Sequence, residues 1–151
     1  MKKFKLTSEF IVDISGVKLF RIKALIEFGN VKAGDLGGYI EKEENLSHMG
    51  DAWIYGDAQI SGNAQVSGNA RVSGDARVSG DKDYAYAHGF GSCNRTTTFF
   101  RLKDGDVGVR CGCFYGTLAQ FRDKVCETHG ETKKAQEYLM LADLMEIRFK
   151  N

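Results

Sequence analysis

The chain has 151 residues, 42% hydrophobic and 27% charged, with a formal net charge of +1; this suits one compact unit with a shared core and excludes a disordered chain. So balanced a charge argues against whole-protein attraction to nucleic acid or an anionic membrane. No stretch approaches the ~20 apolar residues of a membrane span and the start lacks the apolar centre of a signal peptide, so a cytoplasmic protein is expected, its four cysteines free thiols or metal ligands rather than disulfides.

Residues 1–49 read as an N-terminal β module and connector. Phe4, Leu6, Phe10, Val12 and Ile14 precede a Ser15-Gly16 turn, and Val17, Leu19 and Arg21 follow it, which predicts two or three antiparallel strands. From Phe28 to Ile40 glycines accumulate. Gly29, Gly34, Gly37 and Gly38 lack the spacing of a phosphate-cradling loop and are read as backbone turns.

Residues 50–85 hold six consecutive hexapeptides, the last of them decaying. Ala52, Ala58, Ala64, Ala70 and Ala76 are each followed two residues later by Ile54, Ile60, Val66, Val72 or Val78. Each pair therefore shares one face of a short strand, and that face is the inside. Between strands, Gly56-Asp57, Gly62-Asn63, Gly68-Asn69 and Gly74-Asp75 supply corners. A hexapeptide period of this kind signals a parallel β-helix.

Residues 86–151 change character. Strands are predicted over Thr96–Leu102 and Val107–Cys113, joined by a hairpin at Lys103-Asp-Gly-Asp106. Thr117 with Gln120 three residues on forms a capping box that opens a helix, and Gly130 closes it. A second helix runs from about Thr132 to Phe149, with Ala135, Tyr138, Leu139, Ala142, Met145 and Phe149 at helical spacing. Leu141 and Leu144 fall off that stripe, so the apolar surface wraps too far for one-sided packing.

The units Ile-Ser-Gly-Asn-Ala-Gln and Val-Ser-Gly-Asp-Ala-Arg resemble the hexapeptide repeat of left-handed β-helix proteins, a family that contains many acyltransferases and a zinc-dependent carbonic anhydrase. The resemblance implies three hexapeptides per triangular turn, so that residues eighteen apart stack: Trp53 over Arg71, Gln59 over Arg77, Gln65 over Asp83. The fold expected is mainly β with α: a short left-handed parallel β-helix flanked by an N-terminal antiparallel β module and a C-terminal β-hairpin plus two helices. Taken with Arg21-Ile-Lys-Ala-Leu25, Val31-Lys-Ala-Gly-Asp-Leu-Gly-Gly-Tyr-Ile40, Gly112-Cys-Phe-Tyr-Gly-Thr117 and Glu127-Thr-His-Gly130, the order of modules is similar to that of hexapeptide-repeat proteins carried by phages and prophages. That resemblance implies a host cytoplasm and makes a host or defence protein the plausible target.

No histidine lies within residues 50–81, whereas acyl transfer on this scaffold uses a coil histidine as general base. Cys111, Cys113, Cys126 and His129 offer a Cys₃His set for zinc, but the spacing of the first two is tighter than a zinc knuckle, and they are read as structural, with no metal and no cofactor expected. Arginines interleaved with aromatics, Arg71, Arg77, Arg95, Arg101 and Arg110 with Phe99, Phe100, Phe114 and Tyr115, are read as solvated strand faces around a core of Phe. The function expected is a non-enzymatic binding protein, self-associating as a dimer or trimer, with Phe99, Arg101, Phe114, Tyr115, Leu141 and Leu144 as candidate contact residues. The alternatives are an acyltransferase-like enzyme and a small-ligand or nucleotide binder.

Overall fold

The computed structural model describes residues 2–90, 95–112 and 114–150. Strands β1 (Phe4–Val12) and β2 (Lys18–Ala24) form the expected antiparallel hairpin. Its turn is held by the Asp13 carboxylate, which accepts the N–H groups of Ser15 at 2.8 Å and Val17 at 2.9 Å. A third strand, β3 (Leu36–Ile40), pairs with β2 inside the segment read as a connector. Gly37 and Gly38 are therefore strand residues, not turns. A Cβ on Gly37 would lie 2.7 Å from the Ile22 side chain and from the Ile54 carbonyl oxygen, so glycine here permits close approach of two backbones.

The repeats supply four strands of two residues each: β4 (Trp53–Ile54), β5 (Gln59–Ile60), β6 (Arg71–Val72) and β7 (Arg77–Val78). The alanine and Ile/Val positions from Ala52 to Val78 are all buried, as their alternation predicts. β4 pairs in parallel with β6 and β5 with β7, with Trp53 opposite Arg71 and Gln59 opposite Arg77.

The expected left-handed parallel β-helix is nevertheless overturned. The chain is mixed α/β, with two helices and three separate sheets: a mixed sheet in the order β1-β2-β3-β5-β7, the parallel pair β4-β6, and a four-stranded antiparallel sheet. Two repeat strands are absorbed into a sheet begun by the N-terminal hairpin, through β3. That sheet runs across the boundary drawn at residue 50. Nor does Gln65 stack on Asp83. Val66 makes a single bridge to Leu46, and Asp83 sits in a short 3-10 turn, Asp81–Asp83.

The physical reason lies in how the strand edges are closed. On one edge the carbonyls of Gly50 and Ala52 accept from the Lys3 amine, at 3.3 and 2.7 Å, and those of Gly62 and Ala64 accept from the Asn45 amide, at 3.2 and 2.9 Å. On the other, exposed N–H groups meet side-chain oxygens: Gln65 to Asp81, Ser67 to the Tyr84 hydroxyl, Arg71 to Thr98 and Ser79 to Asp83. Side chains that satisfy the ladder also end it. These edges of the repeats are thus closed by side chains of the same chain.

In the C-terminal third, β8 (Tyr84–Phe90), β9 (Arg95–Arg101), β10 (Val107–Cys111) and β11 (Phe114–Thr117) form the antiparallel sheet, which extends the expected hairpin by a strand on each side. β8 grows out of the decaying sixth hexapeptide. On β9, successive side chains face opposite ways. Phe100 therefore enters the core built on the repeats, and Phe99 enters a second core beneath two helices, α1 (Leu118–His129) and α2 (Lys133–Arg148). The Thr117-Gln120 capping box and the Gly130 cap are as read from the sequence.

Lys3 is 1% exposed, beneath the Phe28 ring at 4.6 Å. Burial pushes its amine down from the ordinary 10.5 to about 8, with the Asp51 carboxylate opposing. Between these values the unfolded chain holds a proton that the folded chain has released, so stability rises with pH across the window, by about 3 kcal/mol. Thermal melts should climb from pH ~8 to ~10 in the natural chain and stay flat in Lys3→Met. Parallel slopes would place the amine in water.

Candidate interaction surface

α2 is capped by the Thr132 hydroxyl, which accepts the Ala135 N–H at 3.3 Å. Its inward stripe is Ala135, Tyr138, Ala142 and Met145. Opposite runs a second stripe at i, i+4, i+7: Met140, Leu144 and Ile147 are 71%, 54% and 73% exposed. Single exposed apolar residues are ordinary; three aligned on one helical face are a surface. Beside this face, Arg122 on α1 clamps α2 by bonding Asp143 and Glu146, each at 2.9 Å.

The last residue of α2 joins this face to a groove of about 820 Å³. There the Arg148 guanidinium donates to the carbonyls of Asp81 at 2.7 Å and Tyr84 at 3.1 Å. Tyr86, 41% exposed, stacks on Tyr84 at 6.2 Å. Across the groove stand Glu43, Glu44 and His48. A hydrogen bond from Lys2 holds the Glu43 carboxyl below its ordinary range, and His48, at 3.5 Å, adds to this. The His48 ring is itself fixed by stacking on Phe4 and by accepting the Lys3 N–H at 3.0 Å. The wall is thus acidic, the floor aromatic and one end cationic.

Of the residues expected to meet a partner, Phe99 is fully buried, edge-on to Phe121, and offers no surface. Arg101 is occupied by Asp83 at 2.9 Å and by the Phe149 carbonyl at 3.1 Å. Phe114 and Leu141 are half-buried against the second core. Tyr115 is exposed over part of its ring, but its hydroxyl end sits against the corner at Gly74, where any Cβ would collide with it. Leu144 alone lies on the apolar stripe. Met140, Ile147, Tyr86 and Arg148 were not singled out. The i, i+4, i+7 spacing around Leu144 carried the signal for the first two; Tyr86 and Arg148 come together only through the fold.

The candidate zinc ligands that are described, Cys111, Cys126 and His129, do not form a cluster. Cys111 is buried, accepting from the Thr97 hydroxyl at 3.3 Å and lying 3.7 Å from the Tyr138 hydroxyl, whereas Cys126 is exposed. The His129 ring lies 5.7 Å from that of Tyr138. Cys113 lies outside the described residues. Among the described residues no three His, Cys, Asp or Glu side chains cluster as metal ligands would. Nor is any described helix long and apolar enough to cross a membrane. No protein-family model and no curated protein matches the chain.

Proposed function

We propose that the chain is a non-enzymatic binding protein that acts by protein–protein contact through the outer face of α2 and the groove beside it. The observation that carries this reading is the exposed stripe Met140, Leu144 and Ile147 on a helix whose opposite face already fills the core. Resemblance to phage- and prophage-borne proteins makes a host or defence factor the natural target, and a second copy of the chain can cover the same face.

Sedimentation velocity at micromolar concentration, with capture from host lysate and reconstitution with the purified partner, tests this. A dimer, or a stoichiometric partner, should be lost in Leu144→Glu/Ile147→Glu while the melting temperature stays within a few degrees. A monomer that captures nothing dependent on these residues would end the reading.

A further inference from the structure

A second cavity, about 280 Å³, lies where the repeats meet the four-stranded sheet, away from the face of α2. Tyr55, Asp51, Asn69 and Arg71 come to it from the repeats, and His88 and Thr96 from β8 and β9. Arg71 is half-buried, and its backbone N–H is spent on the Thr98 hydroxyl at 2.9 Å. Its guanidinium has no ion-pair or hydrogen-bond partner among the described residues. A second half-buried guanidinium, that of Arg110, lies over the Tyr55 ring at 5.2 Å and makes only a long 3.4 Å contact, to the Gly112 carbonyl in the cavity wall. It too has no carboxylate partner among the described residues. The ion pairs of the described chain engage Arg21, Arg101 and Arg122; Arg77 and Arg148 donate to backbone carbonyls instead, whereas the Arg71 side chain makes neither kind of bond among the described residues.

The remaining groups suit the same occupant. The His88 Nδ1 lies 2.7 Å from the Thr96 hydroxyl. When that hydroxyl donates, the imidazole proton sits on Nε2 and becomes a further donor. The Asn69 side-chain oxygen accepts the Asp51 N–H at 3.3 Å. That bond fixes the side chain by its oxygen, and its amide protons are not used in it. Asp51 is the one carboxylate in the described wall, and its charge acts also on Lys3. Arg71 in the wall balances Asp51, and Arg110, outside the lining but packed over Tyr55, adds a further positive charge next to this confined polar space. Guanidinium forks fit phosphate oxygens in pairs.

We infer that this cavity binds a small molecule carrying a phosphate group, gripped by Arg71 with His88 and Asn69 as additional donors, while Arg110 adds positive charge from its place over Tyr55. Size and aromatic cover narrow the class. The volume sits at the lower end of ligand pockets, enough for the phosphate with a sugar-sized body. The Tyr55 face is taken by Arg110, so it is not free to stack on a base. A nucleic-acid strand is thereby disfavoured.

Isothermal titration of the full chain with inorganic phosphate and with ribose 5-phosphate, against chloride at matched ionic strength, tests the inference. One phosphate group should bind per chain, more tightly as the sugar phosphate. Arg71→Gln should weaken binding at least tenfold, and Arg110→Gln, which removes only a neighbouring charge, by less. Arg77→Gln, at the equivalent position of the next hexapeptide but outside the cavity, should bind like the natural chain. Should Arg110→Gln melt early through loss of its place over Tyr55, Arg71→Gln carries the test alone, because its side chain makes no other described bond. Heats no larger than those of chloride, or equal affinity in Arg71→Gln and Arg77→Gln, would overturn the assignment.

Discussion

Val66→Asp should leave the chain largely unfolded at ambient temperature. Val66 is fully buried among the aliphatic side chains of the repeats. Its backbone is already committed, the N–H to the Asn45 carbonyl at 2.9 Å and the carbonyl to the Ser47 N–H at 2.9 Å. The backbone therefore cannot rotate the new carboxylate outward without breaking both bonds. An ionised, unpaired carboxyl among aliphatics costs several kcal/mol, a large part of the ~5–15 kcal/mol that holds a domain of this size together. Gln65→Asp, one residue away on the exposed face, should shift stability by less than about 0.5 kcal/mol. Urea denaturation followed by far-UV circular dichroism separates the two. A Val66→Asp protein with the natural midpoint would show that the alternation of the repeat had been assigned to the wrong face.

The inside and outside of the repeat were legible because one short-range rule governs them: a two-residue alternation has only two faces, and Ala/Ile/Val pairs choose one. The turn at Ser15-Gly16, the hairpin at Asp104-Gly105 and the Thr117-Gln120 cap were legible for the same reason, since each is decided within four residues. The sheet plan was not. Whether β5 continues a coil or joins β3 is decided by what closes the exposed backbone edges, and the closing groups, Lys3, Asn45, Tyr84 and Thr98, come from four places along the chain. Gly37 and Gly38 misled because glycine marks both turns and close approaches, and only the packing of Ile22 and Ile54 against them tells which. Among the surface residues, Leu144 was visible through helical periodicity. Phe99 was misplaced because two adjacent phenylalanines on a strand cannot both face one core, and here each has a core of its own.

Those two cores meet at an ion pair whose removal should have the other large effect. Asp83, 4% exposed, accepts from the Ser79 N–H at 3.1 Å, the Ser79 hydroxyl at 2.9 Å and the Arg101 guanidinium at 2.9 Å. Arg101 in turn holds the Phe149 carbonyl just beyond α2, so one carboxylate links the end of the repeats, the antiparallel sheet and the seat of α2. Burial works against ionisation of Asp83, but the bonds from Ser79 and Arg101 outweigh it and hold the carboxyl below its ordinary 3.8. The stabilisation is therefore complete above pH 3.8 and is lost as pH falls through the lower, folded-state value. Asp83→Ala strands a half-buried guanidinium and the Ser79 donors, and should cost about 3–5 kcal/mol at neutral pH. Asp83→Asn keeps an acceptor for Ser79 and should cost less. Arg101→Met paired with Asp83→Leu should cost less than the two single changes added together, because neither charge is then left alone. In the double variant the loss of stability as pH falls below 3.8 should also flatten. Strict additivity of the two changes, with an unaltered acid limb, would show that the two groups act independently and that α2 is seated by its apolar contacts alone.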